Sequence, residues 1–233
     1  MHRSVCFVAL AAWVLAPLPA RGEADPYTTR IELSDPSAGA RTEITFSFRA
    51  TGEVVEKIDV LEIDLPAGAS VDAAAFQRSC RVETHGPEAG KLCATTFRDA
   101  RVGDGEMTVD MLGRHTVTAD AYRVEGGPKG SNLVFFFPPG QVFGVGAQSI
   151  FGSVSLDGTD PARIRISGIQ NQLDLPFGAT AELEKGSFTF AGEAGTPAFS
   201  LPVDGTSPDA PFRTVLRWDG GQQRQRVHAT ARR

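Results

Sequence analysis

The chain is short of the residues that most often carry chemistry. Its 233 residues include four histidines, three cysteines, two tryptophans and two tyrosines. There is no His-Glu-x-x-His, no Walker loop and no Gly-x-Ser-x-Gly, since Ser149 has Ala147 and Phe151 at the flanking positions. Gly144-Val145-Gly146 has Ser149 where a dinucleotide fingerprint needs its third glycine. Asp157-Gly158-Thr159-Asp160 lacks the rest of a twelve-residue calcium loop and reads as a turn. No cofactor, metal or catalytic residue is expected from any of these. No apolar run reaches the ~20 residues that span a bilayer. The formal net charge of −5 argues against a general nucleic-acid binder, which is normally basic.

Aromatic content is carried by phenylalanine, 15 in all. Phe lacks the polar tip that suits Trp and Tyr to a sugar platform, so this composition fits a core. Arginine outnumbers lysine 19 to 4, a usage typical of high-GC bacterial genomes.

What is present begins with a leader. Met1-His2-Arg3 gives a positive end, Val5 to Leu15 an apolar run of eleven, and Pro17 and Pro19 break it before the small residues Ala20, Gly22 and Ala24. Residues 1–22 therefore read as a secretory signal peptide, with cleavage after one of those three. Cys6 lies inside the apolar run and leaves with it, so no lipid anchor is expected. Removing 1–22 takes Arg3 and Arg21 and no acid, leaving 21 bases against 28 acids and a charge of −7. The mature chain should be secreted or periplasmic, without a transmembrane segment. Cys80 and Cys93 are then an even pair in an oxidising compartment, and a single disulfide between them is expected.

The mature chain reads as β throughout. Thr28 to Leu33 is followed by Thr42 to Arg49, where Ile44, Phe46 and Phe48 alternate with Thr45, Ser47 and Arg49. Val54 to Leu65 changes phase, which signals a bulge or a strand covered on both faces. It puts Glu62 and Asp64 on one face; two carboxylates at this spacing could serve acid–base work, but a wet strand face is the expectation. Asp72 can cap a short helix near 72–78. The polar loop Arg81 to Leu92 holds His85, and Val102-Gly103-Asp104-Gly105 reads as a turn before Glu106 to Leu112.

Strands follow at His115 to Val124 and, after the Gly126–Gly130 turn, at Leu133 to Phe137, dense enough to be buried on both faces. Val142 to Leu156 reads as one bent strand or two. Arg163 to Ile166 has Arg163 and Arg165 outward, Leu173 to Pro176 is short, and Ala181 to Phe190 puts Phe188 and Phe190 on one face. Residues 192–211, with three glycines and four prolines, form a loop or linker between a 25–191 domain and a 212–233 C-terminal hairpin packed on it. Arg224 and Arg226 share a face of that hairpin, which reads as an aggregation-blocking edge ahead of a basic stripe for anionic glycans or nucleic acid. The fold class is all-β: a β-sandwich of roughly ten to twelve short antiparallel strands, with one short helix and one disulfide.

Leu65-Pro66-Ala67-Gly68, Cys80, Cys93 and Val102-Gly103-Asp104-Gly105 in this order are similar to a group of uncharacterised secreted all-β bacterial proteins of actinobacterial type. Their pattern is Leu-Pro-x-Gly, two cysteines and Val-Gly-x-Gly, closing on an aromatic-led hairpin such as Trp218-Asp219-Gly220. Members often carry a further C-terminal cysteine pair, which this chain lacks. The resemblance implies export and an all-β fold, and no activity. The expected function is a non-catalytic surface or periplasmic module for an unknown protein or envelope partner. Two alternatives stay open. One is an apolar-ligand carrier using Leu133 to Phe137 and the Gly-rich Val142 to Leu156 to line a cavity. The other is a hydrolase whose dispersed site uses His85, His115 or His228.

Overall fold

The computed structural model describes residues 25–52, 57–82, 86–110, 113–142, 146–169, 182–202 and 211–232. The leader at 1–22, Val54, His85, Gly144-Val145, Leu173 to Pro176 and residues 203–210 of the expected linker lie outside the described residues.

In chain order the elements are β1 (Tyr27–Leu33), β2 (Arg41–Thr42), β3 (Ile44–Ala50), β4 (Ile58–Asp64), β5 (Ser70–Val71), β6 (Cys80–Arg81), α1 (Lys91–Thr96), β7 (Arg101–Asp110) and β8 (Arg114–Glu125). They continue with β9 (Leu133–Phe137), β10 (Gln148–Val154), β11 (Arg163–Ser167), β12 (Glu182–Phe190), β13 (Phe199–Ser200), β14 (Phe212–Trp218), β15 (Gly221–Val227) and β16 (Thr230–Ala231). The chain is mostly β, as its alternation requires.

The expected two-sheet sandwich gives way to one continuous sheet, ordered β15-β14-β4-β11-β10-β9-β8-β7-β12-β3-β1-β16, with β6 attached to β8. The twist of each strand curls it until its ends meet. The path has twelve strands, and β15 runs on into β16, so the wall of the ring has eleven. An odd number of alternating strands cannot close without one parallel contact. That contact lies between β1 and the β15–β16 run: Glu32 pairs with Thr230 and Leu33 with Ala231 in parallel. β6 also pairs with β8 in parallel, so the sheet is mixed where antiparallel strands alone were expected.

Along the rest of the seam, side chains replace backbone. Buried Gln223 accepts from the Tyr27 amide (3.0 Å) and donates to the Tyr27 carbonyl (2.6 Å), copying a ladder rung. The Thr29 hydroxyl donates to Gln225 Oε1 (2.5 Å).

One face of the ring's long strands fills the interior with residues such as Ile31, Phe46, Leu61, Met107 and Phe212. Phe135 packs edge-on against Phe188 and Phe190, with ring centroids 5.4 and 6.0 Å apart. A small sheet, β2-β13-β5, brings Phe199 against Phe76 in the same core. The predicted phase change in β4 is a register shift: Arg217 faces Val60 and Trp218 faces Ile58.

Three local readings change. The helix near 72–78 is one 3-10 turn, Ala73–Phe76, whose Asp72 carboxylate accepts from the Ala74 amide at 2.9 Å. The α-helix is α1, which begins inside the expected loop Arg81 to Leu92 and carries Cys93. Val102 to Gly105 belong to β7 and make no turn. Their glycines are needed for close approach: a Cβ would fall 2.1 Å from the Thr189 carbonyl oxygen at Gly103 and 2.8 Å from the Phe188 ring at Gly105.

β9 is buried on both faces, as its uniform apolarity required. Val134 and Phe136 point outward under a second cluster with Cys80, Cys93, Tyr122 and Phe151. Cys80 and Cys93 form the expected disulfide, with Cα atoms 5.4 Å apart. Fully buried Ser149 fastens this unit to β10, accepting from the Gly90 amide (3.0 Å) and donating to the Pro87 carbonyl (2.7 Å).

Candidate functional site

Closure of the sheet divides its outside into three sectors. β8–β9–β10 lies under the disulfide unit. β1–β3–β12–β7 presents hydroxyls and mixed charges. β11–β4–β14–β15 presents arginine.

The arginine sector follows from strand alternation. In β14, Phe212, Thr214 and Leu216 face inward, so Arg213, Val215 and Arg217 face out. In β15 buried Gln223 faces in, and Arg224 and Arg226 face out. Arg163 and Arg165 project outward from β11, as expected. The register aligns these residues into rows. Arg226 lies opposite Arg213, Arg213 opposite Asp64, and Asp64 opposite Arg163. In the next row Arg224 faces Val215, Val215 faces Glu62, and Glu62 faces Arg165. These rows hold Arg163, Arg165, Arg213, Arg224 and Arg226 with Glu62 and Asp64 among them, and Arg217 on the next row, opposite Val60, is the sixth arginine of the face.

The two carboxylates are therefore not a wet face. Glu62 is only 4% exposed. Arg217 Nη2 donates to its Oε2 at 3.0 Å, and Arg165 Nη1 lies 3.6 Å from its Oε1. Asp64 accepts from Arg163 Nε at 2.5 Å, and this bond holds the Arg163 guanidinium above its usual pKa. The sequence alone missed this because it does not show that β11 and β14, distant in the chain, flank β4. A buried carboxylate has to be paired, and both neighbouring strands supply a guanidinium.

The outer arginines are differently placed. Arg213 and Arg226 are exposed, stand directly opposite each other, and make no ion pair among the described residues. Like charges in register across a ladder are destabilising. A reading of β15 as a guarded free edge fits poorly, because Gln223 and Gln225 bond across to β1. Beside this face, a depression of about 510 Å³ opens between the 128–131 turn and β10, β11 and β4, with Lys129 and Arg165 among its lining residues.

The hydroxyl sector is also regular. Thr28, Arg49, Lys185, Thr108 and Thr116 form one row, and Arg30, Ser47, Ser187, Glu106 and Thr118 the next. Two shallow depressions of about 610 and 680 Å³ lie over it. Cations and acids are interspersed here, so the sector has no single sign.

The remaining sequence candidates stay apart. His115 is half-buried and His228 exposed, and neither imidazole makes a hydrogen bond among the described residues. Asp157 sits in its turn, held below the usual carboxylate range by hydrogen bonds from Thr159. Among the described residues no three His, Cys, Asp or Glu side chains cluster as a metal site. Tyr27 and Tyr122 are buried and Trp218 is half-buried against Tyr27, so they form no exposed aromatic platform. Among the described residues no helix is long and apolar enough to cross a membrane. Compared with known proteins, the chain matches no family model, no curated protein and no solved structure.

Proposed function

We propose that the mature chain is an exported, non-catalytic binding module that engages an anionic envelope partner through the arginine face. One observation carries this reading: six outward arginines with two carboxylates among them, on a chain whose net charge is negative. A like-charge pair such as Arg213–Arg226 costs stability unless something offsets it, and a bound anion does so. Guanidinium groups stay charged at every physiological pH and match carboxylate or phosphate geometry with a planar fork. The leader-like N-terminus, the disulfide and the resemblance to secreted bacterial proteins support export.

The face is tested by titrating labelled polyglutamate and polyphosphate into the mature protein at low and high ionic strength. Binding should weaken as the Debye length shrinks from roughly 10 Å at 0.1 M salt to 3 Å at 1 M. The double variant Arg213→Ala/Arg226→Ala should lose most of it. Equal binding by this variant and the wild type would overturn the assignment. Fractionation with N-terminal sequencing tests export: the mature chain should begin just after Ala20, Gly22 or Ala24.

A further inference from the structure

The depression beside the arginine face has a composition that the face does not. Its walls carry two cations, Lys129 and Arg165, together with one carboxylate, Asp59. The hydroxyls of Ser153 and Ser167 line it, and Phe151 contributes an apolar surface. Ser153 lies directly opposite Arg165 in the β10–β11 ladder, and Ser167 opposite Phe151, so these groups stand on two adjacent strands. Lys129 reaches the rim from a turn where its own backbone is left-handed (φ 54°), a conformation unfavourable for a residue with a side chain. Among the described residues it makes no ion pair, and it is exposed. A volume of about 510 Å³ lies within the ~300–1,000 Å³ typical of small-ligand sites.

The mixture selects among anions. A phosphodiester-like group, such as an internal polyphosphate unit, would use Lys129 and Arg165 but would meet the Asp59 charge with no proton to offer it. A ligand bearing an acid group and several hydroxyls uses all of them: the acid on the two cations, the hydroxyls donating to Asp59 and exchanging hydrogen bonds with the serines. We infer that this depression is a subsite for one acidic sugar unit of a carboxylated polysaccharide, whose following carboxylates run onto the arginine rows. The inference rests on the proposed anion-binding role of that face. Recognition here is by charge and hydrogen bonding and needs no aromatic stacking platform. A nucleic acid fits less well, because single-strand binders stack bases on exposed aromatic rings.

The experiment compares oligogalacturonate, which carries carboxylates and hydroxyls, with polyglutamate of equal charge, which lacks the hydroxyls. Polyphosphate, which lacks hydroxyls, and phosphatidylglycerol vesicles, whose headgroup joins a phosphate to two hydroxyls, serve as further probes. Wild-type protein should prefer oligogalacturonate. Lys129→Met and Asp59→Asn should each weaken it roughly tenfold, the worth of one hydrogen bond to a charged group, and leave polyglutamate within about twofold. Arg213→Ala/Arg226→Ala should weaken both. Unchanged melting temperatures for the Lys129 and Asp59 variants confirm that the comparison is between folded proteins. If those two variants leave oligogalacturonate unaffected, or if vesicles or polyphosphate bind as tightly through the arginines, the sugar subsite is refuted and the anionic face stands. If the wild type binds none of the probes, the face is refuted as well.

Discussion

Gln223 carries part of the ring closure, and its removal can be worked through. Gln223 is 4% exposed and holds both backbone polar groups of Tyr27, at 3.0 and 2.6 Å. Gln223→Leu keeps nearly the same volume and removes both bonds. Each buried hydrogen bond lost in this way costs ~1–2 kcal/mol, so the pair costs about 3 kcal/mol. For a domain of this size, 1 kcal/mol shifts the midpoint by ~2–4 °C, which gives a fall in Tm of about 6–12 °C. Urea unfolding should show a lower midpoint with little change in slope, since the surface exposed on unfolding is nearly the same. Hydrogen exchange should locate the damage, with faster exchange at Tyr27 and Thr29 and little change in β8 or β9. Gln222→Leu, on the exposed face of the same strand, is the control, expected within ~0.5 kcal/mol of wild type. A Gln223→Leu protein melting within a degree of wild type would refute the argument: the seam would then be held by β16 and the Thr29–Gln225 bond, and the amide would be incidental.

Other expectations are more local. Cys80→Ser should lower stability by about 2–5 kcal/mol, measured in urea, with exchange protection lost first across Lys91–Thr96; an unaltered midpoint would mean the bridge is peripheral. Gly103→Ala should cost about 1–3 kcal/mol, because the clash is with the Thr189 backbone and neither strand has a flexible side chain to move; a neutral result would show that β7 and β12 can part there. Tyr122 should titrate late. Burial, followed by the Asp120 carboxylate, pushes its phenol up to about 12. The folded pKa is raised above the unfolded value of 10, so this contribution is intact below pH 10 and is lost as pH rises toward 12. Ultraviolet titration with parallel melting curves checks this, and a Tyr122→Phe protein should lack that part of the alkaline decline.

Strand identity was legible because a half-buried strand must alternate, and a doubly buried one must not. Thr42 to Arg49 and Leu133 to Phe137 show the two cases, and both lie where the pattern puts them. The disulfide was legible too, since the two cysteines outside the leader-like segment have one partner each. The capping role of Asp72 followed from local chemistry, and so did the Gly126–Gly130 turn. All of these depend on residues within a few positions of one another, or on a count.

Tertiary structure alone decided which strands are neighbours. Val102 to Gly105 looked like a turn because glycine breaks local structure; the reason for both glycines is Thr189 and Phe188, more than eighty residues away. Glu62 and Asp64 looked solvated because alternation gives a face but not what stands beside it. Arg163, Arg165, Arg213 and Arg217 come from two strands, distant from β4 in the chain, that flank it only in the folded sheet. The parallel seam has the same origin: direction alternates along the chain, and only the number of strands in the ring forces one pair to agree. The sequence specifies the faces through side-chain period, a local property. Register, closure and the arginine rows depend on which strands come together across the whole chain, and short-range pattern does not carry that information.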